Sequence, residues 1–445
     1  MNAIGTAVNP KIDWRYSRWW KNCLIFGYII IAFLPVLAGF IFAPPENQGF
    51  FKILGRATGL IGFSILVLQF VLSARFKFLD RAFGLDKLMS FHKWMAIIGG
   101  ILILLHPAFL ALNTKNFFLF TMQTPWRVNL GKGALLIIIV TVLFSLLLKK
   151  LKFQYQVWRF LHKSVIIILL LGFLHGLFTG TSMKIDGMKL FWWMLFVITF
   201  IIYVYRNLYM PLWGRKRFTV TAVEHATYDT YTLLLKPDDN VTLPHHPGQF
   251  MFLKLKRPGR KSEQHPFTIA SSPTGEMPLQ ATIKKSGDFT NTIGETVPGD
   301  KAFIEAPFGR FSFVHDNPKS FLFIAGGVGI TPIMSMLRYL RDTADKRRAI
   351  LIYGNKSEKD IVFKDELEKM SAWLNTVHVL MNPAKEWTGA RGFVTKELLQ
   401  KEAGGILTEA DIYLCGPPIM MKKVKEALKS LGVSKKRIHY ELFSL

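Results

Sequence analysis

Four histidines lie inside apolar stretches of the chain, where ionisable side chains are costly and usually have a function. His92 and His106 are 14 residues apart in one stretch, and His162 and His175 are 13 residues apart in another. If both stretches are helices that run the same way, His92 and His162 share one depth. His106 and His175 then share another, about 20 Å away at 1.5 Å per residue. Imidazoles paired at two depths predict two bis-histidine haems stacked across a bilayer.

The two histidine spacings differ in whether they place both histidines on the same face of an ideal helix. At 100° per residue, His92 and His106 lie about 40° apart on one face, whereas His162 and His175 lie about 140° apart on an ideal helix. A tightened turn, or side chains that reach from opposite flanks, must make up this difference. Any one of the four histidines alone would be better explained as a helix cap or a satisfied buried polar group. Their matched pairing favours the haem interpretation.

Six apolar stretches must position these histidines, and each is near the 20 residues that span a bilayer. They cover roughly residues 22–42, 53–73, 88–112, 131–148, 157–179 and 190–212. Basic residues concentrate before the first stretch and after the second, fourth and sixth. Since such residues stay on the cytoplasmic side, we expect a multi-pass protein of the plasma (inner) membrane with both termini in the cytoplasm.

The composition separates the two halves of the chain. Residues 1–212 contain 22 Lys and Arg against 5 Asp and Glu, whereas the later residues contain 34 against 25 and resemble an ordinary enzyme. The net charge of +26 is therefore explained mainly by membrane topology, and no nucleic-acid partner is expected. Only two cysteines occur, Cys23 and Cys415, which excludes a disulfide framework, a cysteine-ligated iron–sulfur cluster and a structural zinc finger.

Two strand patterns follow the membrane half. From Arg217, short alternating strands broken by Pro-Gly turns predict a small antiparallel barrel. From Ser320, apolar strands alternate with helical stretches, which predicts a doubly wound parallel sheet. The expected strands are 320–325, 349–353, 376–381, 411–415 and 438–442, and the expected helices are 331–342, 361–372, 395–401 and 418–431.

Two turns at the carboxyl ends of these strands have the chemistry of a phosphate site. In the first, Gly326, Gly327 and Gly329 allow close approach of a phosphate, Thr331 is placed to cap the next helix, and Pro332 suits its first turn. The second turn, Cys415-Gly416-Pro417-Pro418, follows a later strand at what should be the same edge of the sheet.

The motifs together resemble those of the ferric reductase and NADPH oxidase superfamily. The segment His265-Pro266-Phe267-Thr268-Ile269-Ala270-Ser271-Ser272-Pro273 resembles its flavin-binding motif, and the two turns resemble its nicotinamide-nucleotide motifs in the expected order. The paired histidines match its haem ligands. Glu441-Leu442-Phe443 resembles the end of its reductase module, where an aromatic ring covers the flavin. The resemblance covers residues from about 50 to 445.

The resemblance implies a multidomain protein whose six-helix transmembrane bundle is followed by an antiparallel β-barrel FAD domain and an α/β doubly wound nucleotide-binding domain of ferredoxin reductase type. The expected parts are a cytoplasmic arm (1–21), a haem domain (22–212), the FAD domain (213–315) and the NAD(P)H domain (316–445). The implied cofactors are FAD, two b-type haems and NADPH, with NADH as the alternative.

Site roles are implied residue by residue. Phe267 would pack on the isoalloxazine, Thr268 would hydrogen-bond near its N5 edge, and Cys415 would help to position the nicotinamide. Lys356 or Arg391 would contact a 2′-phosphate, although either is equally well explained as a solvated cation. Catalytic roles are implied for Cys415, Phe443 and Thr268; cofactor contacts for His265, Pro266, Phe267, Thr268, Lys285, Gly287, Phe289, Thr290, Gly326, Gly327, Gly329, Thr331, Pro332, Lys356, Cys415, Gly416, Pro417 and Phe443; iron ligation for His92, His106, His162 and His175.

The expected function is electron transfer from cytoplasmic NADPH, through FAD and two haems, to a small external acceptor. Oxygen, giving superoxide, is favoured over a ferric chelate because the outer connections are short. One alternative is a membrane-anchored flavin reductase without haem that serves a membrane partner. Another is a six-span channel or transporter regulated by a nucleotide-binding domain. The sequence identifies no protein partner.

Overall fold

The structure is a computed structural model that describes residues 17–42, 49–115, 121, 123–151, 155–239, 243–274 and 278–441. The described residues divide after Leu212 into two compact units, which we name the helical unit (17–212) and the αβ unit (213–441). Each unit has its own hydrophobic cores.

The helical unit contains the six membrane spans that the sequence predicts. Helices long and apolar enough to cross a bilayer cover Arg18–Ile41, Phe50–Ser73, Leu85–Thr114, Trp126–Leu147, Phe160–Thr179 and Asp186–Leu212. Their elements are α1 (Arg18–Phe42), α2 (Phe50–Ser73), α3 (Lys77–Phe83), α4 (Leu85–Thr114), α5 (Trp126–Leu151), α6 (Tyr155–Lys163), α7 (Val165–Thr179), α8 (Asp186–Val204) and α9 (Met210–Leu212). Large apolar side chains such as Phe26 and Ile41 point outward and stay exposed, which suits contact with lipid.

The fifth span is broken between its two histidines. Helix α6 ends at Lys163 and α7 begins at Val165, and Ser164 joins them in a turn. The Ser164 amide donates to the Leu161 carbonyl (3.1 Å) and the Ile167 amide to the Ser164 carbonyl (2.9 Å). Such bonds between residues three apart wind the chain at 3.0 rather than 3.6 residues per turn. This is the tightened turn that the 13-residue spacing requires.

The first half of the αβ unit is a six-stranded antiparallel sheet in the order β4-β3-β6-β1-β2-β5. Its strands are β1 (Lys216–Thr227), β2 (Thr230–Pro237), β3 (Phe250–Lys256), β4 (Gln264–Thr268), β5 (Leu279–Lys284) and β6 (Lys301–Phe308), with the short helix α10 (Asp288–Asn291) after β5. The prediction of a barrel is wrong in one detail, because no ladder joins β4 to β5 within the described strands. Strand β4 ends at Thr268. Beyond it, the Ala270 amide donates to the Gln280 carbonyl, and Ser271 Oγ accepts from the Gln280 amide.

The second half is a parallel sheet in the order β10-β9-β8-β7-β11-β12, as the alternating pattern predicts. Its elements are β7 (Phe321–Gly326), α11 (Ile330–Asp342), β8 (Ala349–Asn355), α12 (Lys364–Lys369), β9 (Leu374–Leu380), β10 (Ala390–Arg391), α13 (Lys396–Ala403), β11 (Asp411–Cys415), α14 (Pro418–Ser430) and β12 (Ile438–Glu441). The helix expected over 361–372 forms only from Lys364 to Lys369, because Phe363 before it has a left-handed φ of 61°. The two-residue strand β10 was not predicted.

A buried arginine joins the two halves of the αβ unit. Arg338 on α11 is 3% exposed. It donates to the Ala270 carbonyl (2.8 Å) and to the Gln280 amide oxygen (2.7 Å), both in the antiparallel half. Its other edge forms a two-point ion pair with Glu366, with nitrogen–oxygen distances of 2.6 and 2.9 Å. The buried Arg338 side chain therefore holds the segment after β4 to the parallel half.

We predict that Arg338→Leu lowers the free energy of unfolding of the αβ unit by about 3 kcal/mol, because it leaves buried acceptors and a carboxylate without their partner. The measurement is urea denaturation of the FAD-loaded full chain, followed by flavin fluorescence. Arg341→Leu is the matched control, since Arg341 contacts the same Glu366 from a more exposed position and should cost at most about 1 kcal/mol. Equal losses for both variants would contradict the prediction.

Candidate functional site

The helical unit brings the four histidines together in two pairs. The ring centroids of His92 on α4 and His162 on α6 are 6.1 Å apart, with 74° between the ring planes. Those of His106 on α4 and His175 on α7 are 6.2 Å apart, with 76° between the planes. The two pairs thus have almost the same geometry at two levels of the bundle.

The two levels differ in how the imidazoles are held. His106 Nδ1 lies 2.7 Å from the Gly55 carbonyl on α2, and His175 Nδ1 lies 2.9 Å from the Arg127 carbonyl on α5. Each Nδ1 carries the proton and donates it, because a carbonyl oxygen can only accept; Nε2 is then left as the basic nitrogen. At the other level, the Gln69 carbonyl on α2 interacts with His92, whereas His162 Nδ1 is buried and makes no hydrogen bond among the described residues.

The residues expected to contact flavin lie on β4 and on α10. His265 stacks on Phe289 with 4.3 Å between ring centroids, and Phe267 lies parallel to the same ring at 6.2 Å. Thr268 ends the strand and is buried, and Pro266 lies between the two aromatic positions. His265 Nε2 also lies 3.2 Å from a Glu263 carboxylate oxygen. The structure therefore groups His265, Phe267 and Phe289 into one aromatic cluster.

The segment expected to hold the FAD pyrophosphate forms a tight turn before α10. The backbone amides of Ser286 and Gly287 both donate to Thr290 Oγ1, at 2.9 and 3.0 Å. The Lys285 ammonium lies 5.0 Å from the centre of the Tyr231 ring. Space is open beside Gly287, where an added Cβ would meet nothing within 4 Å. Two amide donors thus converge on one oxygen position at an open part of the surface.

The two glycine-containing turns meet at one edge of the parallel sheet. A Cβ on Gly329 would lie 2.6 Å from the Cys415 carbonyl oxygen and 2.7 Å from the Gly416 Cα. Gly416 in turn lies against Gly326, with its own Cβ position 3.0 Å from the Gly326 nitrogen. Gly327 has a φ of +52° and open space beyond it. Only residues without a side chain allow these two turns to touch through their backbones.

The second turn also covers the first with its side chains. A Cβ on Gly326 would lie 2.8 Å from Pro417 Cδ and 2.4 Å from the Met420 sulfur. Residues Gly326, Gly329, Cys415, Gly416 and Pro417, chosen from two distant parts of the sequence, are therefore in contact. This edge is the carboxyl end of the strands, where ligands bind in open α/β sheets.

The expectation that Thr331 caps helix α11 is wrong. A 3-10 turn over Gly327–Gly329 leads the chain into the helix, so α11 begins at Ile330 and its N-cap is Gly329. Thr331 is then already helical, and its hydroxyl donates back to the Val328 carbonyl at 3.0 Å. Pro332 does lie in the first helical turn, as expected.

Tyr353 supports the first turn and was missed by the sequence analysis. It is fully buried on β8, and its hydroxyl donates to the Gly327 carbonyl at 3.1 Å. The same oxygen accepts from the Val362 amide at 3.3 Å. Burial raises the pKa of Tyr353, so this hydroxyl keeps its proton and its donor role. A tyrosine at the end of an apolar strand gives no sequence signal for such a contact.

Cys415 is buried at the end of β11, beside Ala325 on one neighbouring strand and Glu441 on the other. Burial raises the pKa of the Cys415 thiol well above its usual range, and the Glu441 carboxylate raises it further. The thiol is therefore neutral at physiological pH. It suits packing or positioning at this edge of the sheet, and not attack as a nucleophile.

The two cations considered for a 2′-phosphate lie near the same end of β9 but differ in their contacts. Lys356 is exposed just after β8. The Arg391 guanidinium donates to the carbonyls of Lys385 (3.0 Å) and Trp387 (2.7 Å), and more distantly to that of Ala384 (3.5 Å). Arg391 thus holds a loop together, which leaves Lys356 as the freer of the two. Phe443 lies outside the described residues.

Three domain-family models match the chain in sequence order. They are the ferric reductase like transmembrane component at residues 58–173, the FAD-binding domain at 212–321 and the oxidoreductase NAD-binding domain at 323–426. Together these matches give the chain a ferric reductase and NADPH oxidase-like architecture. It is a multi-pass membrane electron-transfer oxidoreductase with FAD-binding and NAD(P)H-binding domains.

Known flavoprotein reductases resemble about half of the chain. The glycine betaine monooxygenase reductase subunit of Pseudomonas aeruginosa is 31% identical over 241 residues, which cover 52% of this chain and 65% of that protein. NADH-cytochrome b5 reductase 1 of Dictyostelium discoideum is 30% identical over 48% of this chain and 77% of its own length. The chain thus spans slightly less than two thirds of the first relative. A solved FAD/NAD-binding domain of nitric oxide dioxygenase from Vibrio cholerae is 23% identical, with a TM-score of 0.46, over 51% of this chain and 97% of its own.

We predict that Tyr353→Phe raises the KM for the nicotinamide nucleotide about two- to tenfold, because the Gly327 carbonyl loses a hydrogen bond worth about 0.5–1.5 kcal/mol. Steady-state reduction of a soluble dye by the purified protein measures the effect. Tyr339→Phe, which removes a hydroxyl on α11, is the control and should leave KM unchanged. An unaltered KM in Tyr353→Phe would show that the turn does not depend on this bond.

We predict that Cys415 reacts with iodoacetamide at least about tenfold more slowly in the folded protein than in the unfolded one between pH 7 and 9. The reagent attacks the thiolate, and the raised pKa moves thiolate formation to higher pH than the usual value near 8.5. A Cys23→Ser background leaves one thiol to follow by mass spectrometry. Rapid labelling of the folded protein at pH 8 would contradict the assignment of a buried neutral thiol.

Proposed function

We propose that this protein carries electrons from cytoplasmic NADPH, through FAD and two b-type haems, to a small acceptor outside the membrane. The proposal divides the chain as the sequence suggests, into an arm (1–21), a haem domain (22–212), an FAD domain (213–315) and an NAD(P)H domain (316–445). Both termini lie in the cytoplasm, on the basic side of the spans, in the plasma (inner) membrane.

The observation that carries the proposal is the separation of the paired imidazoles. An imidazole–metal bond is about 2.0 Å long and each ring nitrogen lies about 1.1 Å from its ring centre, so two rings on opposite sides of one metal ion would have centres about 6.2 Å apart. The observed separations are 6.1 and 6.2 Å. Two pairs with this spacing fit bis-histidine ligation twice, whereas two ordinary core contacts would have no reason to share it.

The protonation of the outer pair supports the same role. His106 and His175 each donate Nδ1–H to a backbone carbonyl, which fixes the tautomer and leaves Nε2 as the ligand nitrogen. In this proposal His92 and His162 hold one haem iron, and His106 and His175 hold the other. With both axial positions occupied by histidine, an external acceptor would be reduced at the haem edge.

The bound cofactors would supply the redox chemistry. A flavin accepts a hydride and can release its electrons one at a time, and a haem iron accepts one electron at a time. The chain's residues bind and orient these groups. Phe267 packs on the flavin ring, and Thr268 provides a hydrogen bond near its edge. The tight turn before α10, which is open beside Gly287, serves the FAD phosphates, together with Lys285 and Thr290. Each of these roles is part of the proposal.

The nucleotide is held where the two glycine-containing turns meet. Gly326, Gly327 and Gly329 let phosphates approach the start of α11, where backbone amides and the helix dipole favour an anion. Cys415 positions the nicotinamide, and Phe443, outside the described residues, is assigned to the flavin by resemblance alone. Lys356 is the cation for a 2′-phosphate, and it favours NADPH over NADH because its ammonium is free while Arg391 binds carbonyls.

Oxygen, giving superoxide, is the acceptor that we favour. The connections on the side of His106 and His175 are short, and the described residues contain no cluster of three His, Cys, Asp or Glu that would hold a metal ion. A ferric chelate reduced at the same haem edge is the second candidate. A flavin reductase without haem, serving a membrane partner, leaves the two matched histidine pairs unexplained.

We predict that purified protein binds two haems and that His106→Leu loses one of them. External reduction should fall at least about 100-fold in that variant, while NADPH-driven flavin reduction stays within about twofold, because only the outer ligand pair is broken. Stopped-flow absorbance separates the flavin signal from the Soret signal. His225→Leu, in the αβ unit, is the control for loss of a histidine. Unchanged external reduction in His106→Leu would overturn the proposed route.

We predict that external ferric-chelate reduction disappears both without oxygen and with superoxide dismutase, because superoxide would be the agent that reaches the iron. The measurement is NADPH-driven reduction in proteoliposomes, with oxygen consumption recorded in parallel. A ferric rate that survives both conditions would identify a ferric-chelate reductase instead. NADH in place of NADPH, with Lys356→Gln as a matched variant, tests the nucleotide preference in the same assay.

A further inference from the structure

The outer histidines share a local arrangement that the proposed ligation does not require. The Gly55 carbonyl accepts from His106, and Gly59 lies four residues further along α2. The Arg127 carbonyl accepts from His175, and Gly131 lies four residues further along α5. An acceptor carbonyl followed by glycine at the fourth position therefore occurs twice, on two different helices. We name this arrangement the glycine seat.

The geometry explains why glycine is needed there. In an α-helix, the carbonyl of one residue bonds the amide four residues on, and that residue's side chain leans back over the same carbonyl. Glycine leaves the carbonyl open to a second donor. A Cβ at Gly59 would lie 2.7 Å from His106 Nδ1, and a Cβ at Gly131 would lie 2.9 Å from three atoms of the His175 ring. Any side chain would displace the imidazole.

The inner level contains the same repeat without the seat. Fourteen residues after Gly59 and Gly131 lie Ser73 and Ser145, which face the same side of α2 and α5 because 14 residues make almost four turns. The Ser145 hydroxyl donates to the Thr141 carbonyl at 2.7 Å. Thr141 is itself 14 residues after Arg127, so the carbonyl that corresponds to the seat already has a second donor.

The inner imidazoles are held differently as a result. Trp158 stacks on His162 with 4.9 Å between ring centroids, and its indole nitrogen donates to Ser145 Oγ at 3.0 Å. On α2, the Ser73 hydroxyl donates to the Phe70 carbonyl at 3.3 Å. The Gln69 carbonyl, 14 residues after Gly55, interacts with His92, whereas His162 Nδ1 makes no hydrogen bond within the described part of the chain. Serine thus replaces glycine at both inner positions, and on α5 the hydrogen bond of the seat is missing.

We propose that Gly59 and Gly131 are positioning residues that give the outer haem more basic imidazole ligands than the inner haem, and so a lower reduction potential. This inference rests on the proposed bis-histidine haems. An imidazole that donates Nδ1–H to a carbonyl is the stronger electron donor, and it stabilises ferric over ferrous iron. The exchange of glycine for serine in one 14-residue repeat makes the two sites electronically unlike.

The first test adds a side chain at each glycine of the seat. Gly131→Ala should shift the more negative of two potentiometric waves to higher potential and change the low-spin ferric EPR signal of one haem, or should lower the haem content from two to one. Gly59→Ala should act on the same wave. Gly133→Ala is the matched control on α5, since its Cβ would meet only Leu171 at an ordinary 3.5 Å. It should leave both waves and both EPR signals unchanged.

The second test places glycine at the inner positions. Because it removes side chains, its result cannot be explained by an added side chain that disturbs the helix bundle. Ser145→Gly frees the Thr141 carbonyl, and Ser73→Gly opens α2; each should move the more positive wave to lower potential and leave the other in place. NADPH-driven flavin reduction verifies that each variant is folded.

The outcomes separate this inference from the proposed function. Wild-type protein without haem would overturn both. Two haems in the wild type, with waves and EPR signals unmoved in all four seat variants, would overturn the inference alone. Equal shifts in Gly131→Ala and Gly133→Ala would also overturn it, because they would reflect a general effect of an added methyl group on α5.

Discussion

A polar ring inside a bilayer must find its hydrogen-bond partner within the protein, and this constraint organises the helical unit. The partners of His106 and His175 are carbonyls that already serve the helical ladders of α2 and α5. Such a carbonyl has a second lone pair, but it is reachable only where no side chain covers it. The close contact of these helices with α4 and α7 and the glycines between them follow from satisfying that requirement for His106 and His175.

In the αβ unit, the candidate nucleotide site is formed mainly by backbone groups and not by side chains. Two turns from distant parts of the sequence touch through Gly329, Cys415 and Gly416, so this edge of the parallel sheet is built from main-chain groups at fixed positions. Buried polar side chains stabilise this edge by hydrogen bonds to its backbone and to neighbouring segments. Tyr353 supports Gly327, and Arg338 ties the flavin-side segment to α11. Water is excluded from these contacts, so each hydrogen bond constrains position strongly.

Periodicity and motif order were sufficient to predict the six spans, the antiparallel and parallel halves and the meeting of the two turns, because these depend on local pattern and on topology. The 13-residue spacing also required a tightened turn, but it did not locate it at Ser164. Sequence reasoning placed the start of α11 at Thr331 because it ignored the 3-10 turn before Ile330. The contacts of Tyr353 and Arg338 join residues far apart in the chain, and no local pattern encodes them.

The 14-residue repeat has a consequence for how these spans can change in length. Adding or removing one residue of α2 between Gly59 and Ser73 would rotate one level relative to the other by about 100° and slide it by about 1.5 Å. The facing histidines on α4 would then meet their partners at one level only. A change of one residue inside a span therefore needs a compensating change in helical winding. The fifth span shows such a compensation, because its interval of 13 residues is accompanied by the tightened turn at Ser164.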